Sequence, residues 1–257
     1  MWEIWCVYGT VLRPNGGTLH KGVDTVRKNL EKTVFEYAET VRPGELVLVE
    51  YTSEEPVYLL LYEVLKYARH NGIPYAIVDV LDGLHVMKAQ FRFAGLDTSP
   101  IDDAPVIKIG GRLDTGSVLA TIDERTELPI LKRRFMEFLE RVEETVGGES
   151  FIRIVVGATE LLQQLENDPM KREEFFASII RPMIGNPESR GLVFINRKRV
   201  NGSGLREAEE MSTRVLRTRI ENGRLVITVV KSIYFDEYRS EVVFESGAIG
   251  GGKNDEA

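Results

Sequence analysis

Residues 46–80 read LVLVEYTSEEPVYLLLYEVLKYARHNGIPYAIVDV. The first six, LVLVEY, are aliphatic and β-branched, the composition of a strand buried on both faces. A helix is expected from Glu55, with Pro56 in its first turn and Asn71-Gly72 at its end. YAIVDV (75–80) then repeats the strand pattern, so the segment has the length of a right-handed β-α-β crossover and predicts a parallel sheet. The intervening helix is apolar nearly all round. Tyr58, Tyr62 and Leu65 share one face, while Leu59, Leu60, Val64 and Tyr67 fill much of the rest, as expected behind a central strand.

On the N-terminal side, Val26, Leu30, Val34, Tyr37, Ala38 and Val41 recur at helical spacing after Asp24, a candidate N-cap, and Pro43-Gly44 close the helix. Residues 1–22 form an N-terminal extension, either an ordered edge strand, a loose tail or the product of an upstream start. On the C-terminal side the alternation continues through a helix at 84–94, strands VIKIG (106–110) and SVLATID (117–123), and a periodic helix at 129–146. Strand FIRIVVGA (151–158), helices over 160–184 and strand GLVFINRKRV (191–200) follow. VLRTRIENGRLVITVVKS places two alternating strands around Asn222-Gly223, a strong hairpin pattern. YRSEVVFE (238–245) reads as an edge strand and residues 247–257 as a flexible tail. Residues 23–246 are thus expected to be one domain: an α/β fold with a mostly parallel, doubly wound sheet and a C-terminal antiparallel hairpin.

Among 257 residues, 43% are hydrophobic and 28% charged, which suits a globular chain with a sizeable core. A net charge of -7 argues against a surface that coats nucleic acid or anionic lipid. Cys6 is the only cysteine, so an intramolecular disulfide and a thiolate-rich zinc site are excluded, and a reducing, cytoplasmic setting is expected. The longest apolar stretches are about half the ~20 residues of a membrane span. Abundant Glu, Arg and Lys with scarce Gln fit a thermophilic origin.

A strand that runs through a turn into a helix binds phosphate when glycines let N–H groups converge, a Lys neutralises the oxygens and a Ser or Thr holds Mg²⁺. Here PGELVLVE (43–50), the succession of elements and the closing hairpin resemble RecA-like ATPases, in particular their KaiC-like branch. Within that branch, EYTSEEPVYLLLYEV resembles an uncharacterised archaeal family. Laid on its phosphate loop, YTSEEPVY has Tyr51 at the first Gly, Pro56 at the Gly before the Lys, Val57 at the Lys and Tyr58 at the Ser/Thr. Glu54 and Glu55 add negative charge, and Pro56 lacks an N–H. The strand that should end in a metal-orienting Asp, IRIVVGATELL, has Gly157 instead. Such a degenerate loop implies a pseudo-ATPase that binds no nucleotide cofactor. Asp79 and Asp82 lie where relatives hold a catalytic Glu, although both can equally cap or turn the chain.

The candidate ligand-binding residues are therefore Tyr51, Thr52, Ser53, Asp79 and Asp82, in a crevice at the C-terminal strand ends. Their hydroxyls and carboxylates suit a cationic or neutral polar ligand. A regulatory or scaffolding protein is the leading reading, with self-association or a protein partner implied. The alternatives are an enzyme using Asp79 or Asp82 as general base, and a nucleic-acid binder. For the latter, residues 190–219 hold eight Lys and Arg against three Glu, including Arg197, Lys198, Arg199, Arg217 and Arg219. Only Phe194 there could stack on a base, so a basic edge that pairs with acidic helices is favoured. His20, His70 and His85 lack the i, i+4 spacing of a metal pair, and no metal site is expected.

Overall fold

The computed structural model describes residues 32–145, 150–200 and 202–244. The expectations for the extension at 1–22, the N-cap at Asp24 and the tail at 247–257 lie outside these residues. The described strands are β1 (Lys32–Thr33), β2 (Leu46–Tyr51), β3 (Tyr75–Val80), β4 (Pro105–Ile109), β5 (Ser117–Ile122) and β6 (Phe151–Val156). They continue with β7 (Ser189–Asn196), β8 (Arg214–Glu221), β9 (Arg224–Ser232) and β10 (Glu241–Val243). All join one sheet in the order β1-β10-β9-β8-β2-β7-β6-β3-β4-β5, parallel from β8 to β5 and antiparallel through β8, β9 and β10.

Helices cover both faces. Helices α1 (Val34–Thr40), α2 (Tyr58–His70), α3 (Gly83–Phe93) and α4 (Ser99–Asp102) pack with Val47, Val49, Ile77 and Ile154 in one core layer. Helices α5 (Leu128–Thr145), α6 (Ala158–Leu165), α7 (Pro169–Phe175) and α8 (Gly202–Met211) enclose the other, with Leu48, Val78, Val80 and Ile195. Alternation along β2 therefore feeds both layers, which is why LVLVE has no polar face. In α2, Leu61 and Leu65 are fully buried, each worth about 1.5–3 kcal/mol relative to exposure.

Four details depart from expectation. The helix expected to run unbroken to Val41 has a strand at Lys32–Thr33, and α1 starts at Val34, where Thr33 and Glu36 form a capping box: the Glu36 N–H donates to Thr33 Oγ1 at 3.2 Å and the Thr33 N–H to Glu36 Oε2 at 2.8 Å. Lys32–Thr33 is a strand, so β10 has a neighbour on each side and is not an edge. The strand expected over 191–200 ends at Asn196, and Arg197–Arg199 belong to a turn closed by the Arg199 N–H on the Asn196 carbonyl. Helix α8 has no counterpart in the sequence reading. The hairpin turn at Asn222-Gly223 has φ values of 50° and 74°, the left-handed pair of a type I′ turn.

At the opposite end of the sheet from the expected crevice, Arg214 is fully buried between the rings of Tyr37 and Tyr234. It donates to Glu45 at 2.7 Å, to Glu237 at 3.1 Å and to the Thr40 carbonyl at 2.8 Å. This network ties α1, the entry to β2 and the C-terminal strands together.

Candidate functional site

At the end of β2 the chain turns on its own carboxylate. The Thr52 N–H donates to Glu55 Oε2 at 2.8 Å, and the Glu55 N–H returns to the Thr52 carbonyl at 3.1 Å. The same Glu55 carboxylate accepts from Thr218 Oγ1 on β8 and, at 3.4 Å, from Arg197 Nη2. Arg197 also donates to the carbonyls of Glu50 and Thr218 at 3.2 Å each. A buried anion thus sits at the strand-to-helix turn, supplied by the turn itself. Pro56 and Val57 precede the first helical residue, Tyr58, so α2 starts three residues later than expected. Tyr51 is half-buried, and burial, reinforced by the charge of Glu160, raises the pKa of its hydroxyl. Thr52 is buried with its hydroxyl unpartnered, while exposed Ser53 accepts from Asn196 Nδ2 at 2.9 Å.

Glu50, on the other face of β2, is fully buried. Its Oε2 accepts from Arg217 Nε at 2.8 Å and Nη2 at 2.7 Å, and Oε1 has no partner. Glu209 of α8 lies 3.5 Å from the same guanidinium. Burial, then the neighbouring Glu209 carboxyl, pushes the Glu50 carboxyl up to about 7, against the pull of Arg217. Two carboxyls meeting under one Arg are an acid-base pair that sequence order did not offer, because Glu209 comes from the unforeseen helix.

The second cluster closes β3. Asp79 is fully buried, accepts the Leu84 N–H at 2.8 Å and has its other oxygen unpartnered. Burial raises its pKa. Asp82 stands at the entry to α3 with φ 61°, after Leu81 at φ 52°. Its carboxylate accepts the N–H groups of Arg112 at 2.7 Å and Leu113 at 3.0 Å, and Lys108 Nζ at 3.0 Å. Partial burial opposes these bonds, but together they hold Asp82 below the usual carboxylate range. Gly111 is required there, since a Cβ would lie 2.2 Å from Asp82 Oδ1. Asp82 and Lys108 accordingly staple the loop after β4.

Strands β7 and β6 separate β2 from β3, so three inter-strand steps, about 14 Å, lie between the two clusters. Tyr51, Thr52 and Ser53 share one site with Asn196 and Glu55; Asp79 and Asp82 belong to another. Between them, Gly157 follows β6 with φ 83°, and a Cβ would meet the Val80 carbonyl oxygen at 2.2 Å. No side chain fits where an Asp was sought. The basic residues each face an acid: Arg197 Glu55, Lys198 Glu54, Arg199 Glu160, Arg217 Glu50 and Arg219 Glu221 and Glu241. Among the described residues no group of three His, Cys, Asp or Glu could hold a metal ion, and no helix is long and apolar enough to cross a membrane.

A mostly parallel α/β sheet whose β2 runs into this turn and α2 defines a protein of KaiC-like fold. Structural comparison agrees: a KaiC-like protein, PH0186, from the hyperthermophilic archaeon Pyrococcus horikoshii OT3 superposes with a TM-score of 0.53 at 14% identity, over 81% of this chain and 88% of that one. The chain belongs to the family described as Pyrococcus protein of unknown function, DUF257, whose model matches residues 36–242. A second structure from Pyrococcus horikoshii OT3, that of PH0250, matches with a TM-score of 0.69 at 24% identity, covering 84% of this chain and all of that one. A comparison with curated proteins finds no match. The expected resemblance to an uncharacterised archaeal family with a KaiC-like fold is borne out.

Proposed function

We propose that the chain is a non-hydrolysing KaiC-like protein with a regulatory or scaffolding role. The observation that carries this reading is the Glu55 carboxylate at the end of β2, already held by the Thr52 N–H, the Thr218 hydroxyl and Arg197. A triphosphate entering that turn would face this fixed negative charge and Glu54, and would find no N–H on Pro56. The absence of room for a side chain at Gly157 points the same way. For the scaffolding role, Ile233, Phe235 and Tyr238 form an exposed apolar cluster beyond β9, with Phe235 91% exposed, which suits a protein partner or a second copy of the chain. Arg197, Lys198, Arg199, Arg217 and Arg219 of the basic segment are engaged in internal ion pairs, so nucleic acid is the weaker partner class.

Glu50 and Glu209 support a second reading, an enzyme of other chemistry. A carboxyl pushed up to about 7 beside another carboxyl is a general acid-base arrangement. Asp79 and Asp82 serve such chemistry less well, since one caps α3 and the other holds the loop after β4. Phosphate release from ATP and Mg²⁺ separates an ATPase from both readings. Background-level release is expected; turnover that Asp79→Asn abolishes would refute the non-hydrolysing role.

A further inference from the structure

The side of the sheet covered by α5 to α8 encloses a cavity of about 100 Å³, and its lining is almost wholly aliphatic and aromatic. Leu48 and Val80 floor it, Phe135 of α5 and Met183 wall it, and the five-residue π-helix Phe176–Ile180 runs along it. π-helical turns inside helices occur frequently at functional sites. One charged side chain lines this space: Arg153 of β6, only 4% exposed.

Arg153 is treated unlike the other buried cations. Arg214 has Glu45 and Glu237, Arg172 has Glu207, and Lys108 has Asp82 and Asp114. Among the described residues Arg153 has no carboxylate, only Ser189 Oγ, which accepts from Nη1 at 2.8 Å. Guanidinium carries five N–H donors in a planar fork, and among the described residues only Nη1 makes a hydrogen bond. Room for that fork comes from Gly191 on β7, where a Cβ would crowd Nη2 at 3.1 Å. Burial pulls the group down to about 10, which leaves it charged at neutral pH. A buried charge with no carboxylate beside it among the described residues is costly, and an anion reaching it from the cavity would offset that cost through a bidentate pair.

We propose that this cavity binds a short-chain organic carboxylate, its acid group on Arg153 and an aliphatic body among the side chains of α5 to α7. An apolar cavity of about 150 Å³ holds benzene, so a cavity of about 100 Å³ sets the scale at about four carbons. The site is separate from the turn at Glu55 and does not depend on what that turn binds.

Isothermal titration of the full chain tests this with sodium butyrate and sodium isobutyrate, against butan-1-ol and butylammonium chloride. The carboxylates are expected to bind, the alcohol to bind at least about 10-fold more weakly for want of the charged hydrogen bonds, and the ammonium salt not at all. Arg153→Met should fold, since an apolar residue suits these surroundings, and should weaken butyrate by about 10-fold or more. Ala208→Leu provides a second variant that keeps Arg153 and fills the cavity, and it should abolish binding of carboxylate and alcohol alike. Equal affinity for butyrate and butanol, no carboxylate heat up to about 10 mM, or butyrate binding that survives either substitution would overturn the proposal.

Discussion

Replacing Glu55 with Ala removes the carboxylate on which the β2 turn closes, and the cost follows from its partners. Two donors would lose a charged acceptor in buried surroundings: the Thr52 N–H at 2.8 Å and the Thr218 hydroxyl, in residues that are 2% and 0% exposed. Hydrogen bonds to charged groups contribute roughly 1.5–3 kcal/mol each, so the two together give about 3–6 kcal/mol. Arg197 adds little, because its side chain is a quarter exposed and can turn to water. Urea titration of wild type and variant at pH 7 reads this difference as a lower midpoint at unchanged slope. Glu55→Gln keeps one acceptor and should fall between. The vacated position would present an N–H, a hydroxyl and a guanidinium to solvent, so inorganic phosphate should stabilise Glu55→Ala, by about 1.4 kcal/mol at ten times its Kd, and leave wild type unchanged. A variant within about 0.5 kcal/mol of wild type, the range of an ordinary surface substitution, would refute the internal-anion account of the turn.

Three further outcomes are expected. The fold pushes Glu50 from 4.5 up to about 7, so the folded chain keeps a proton that the unfolded chain has already released; this stability is complete below pH 4.5 and is lost as pH rises to about 7. Glu50→Gln should remove that slope, by about 3 kcal/mol at the 1.36 kcal/mol of one pKa unit, and parallel curves for the two proteins across this window would contradict it. Gly157→Ala combines a left-handed backbone with a Cβ pressed on the Val80 carbonyl and should destabilise by about 2–5 kcal/mol in denaturant titration; an unaffected midpoint would mean that β6 does not approach β3 so closely. Fluorescence anisotropy with labelled single-stranded DNA should show no salt-sensitive binding, because Arg197, Lys198, Arg199, Arg217 and Arg219 are each paired with a carboxylate; affinity that drops steeply with salt and is lost in an Arg197→Ala, Lys198→Ala double variant would reverse that expectation.

The parallel sheet was legible because its strands are buried on both faces, and continuous runs such as LVLVEY and YAIVDV state that directly. Asn222-Gly223 announced the hairpin through the one turn type that needs two left-handed residues. Starts of helices were less legible. The start of α1 is fixed by the two reciprocal bonds of the Thr33–Glu36 box, which the spacing of the apolar residues does not reveal. Helix α8 escaped notice because GSGLREAEEM opens on glycines and buries few of its side chains. Glu209 and its pairing with Glu50 were hidden with it. At the turn, the surplus negative charge of Glu54 and Glu55 was visible, but not the division of labour: Glu55 turns inward onto Thr218, 163 residues away, while Glu54 stays exposed near Lys198. Arg153 looked like any charged residue within a strand, and that its one hydrogen bond among the described residues goes to Ser189 is a property of β7.

Calorimetric titration of the wild-type protein with ATP and Mg²⁺ addresses the turn at the end of β2 without any substitution. With the Glu55 carboxylate in place, no heat of binding is expected at nucleotide concentrations up to about 1 mM, the level of an affinity near 4 kcal/mol. Saturable binding at micromolar ATP would contradict the account, because it would require the turn to open, Glu55 to leave Thr218 and Arg197, and a triphosphate to take its place.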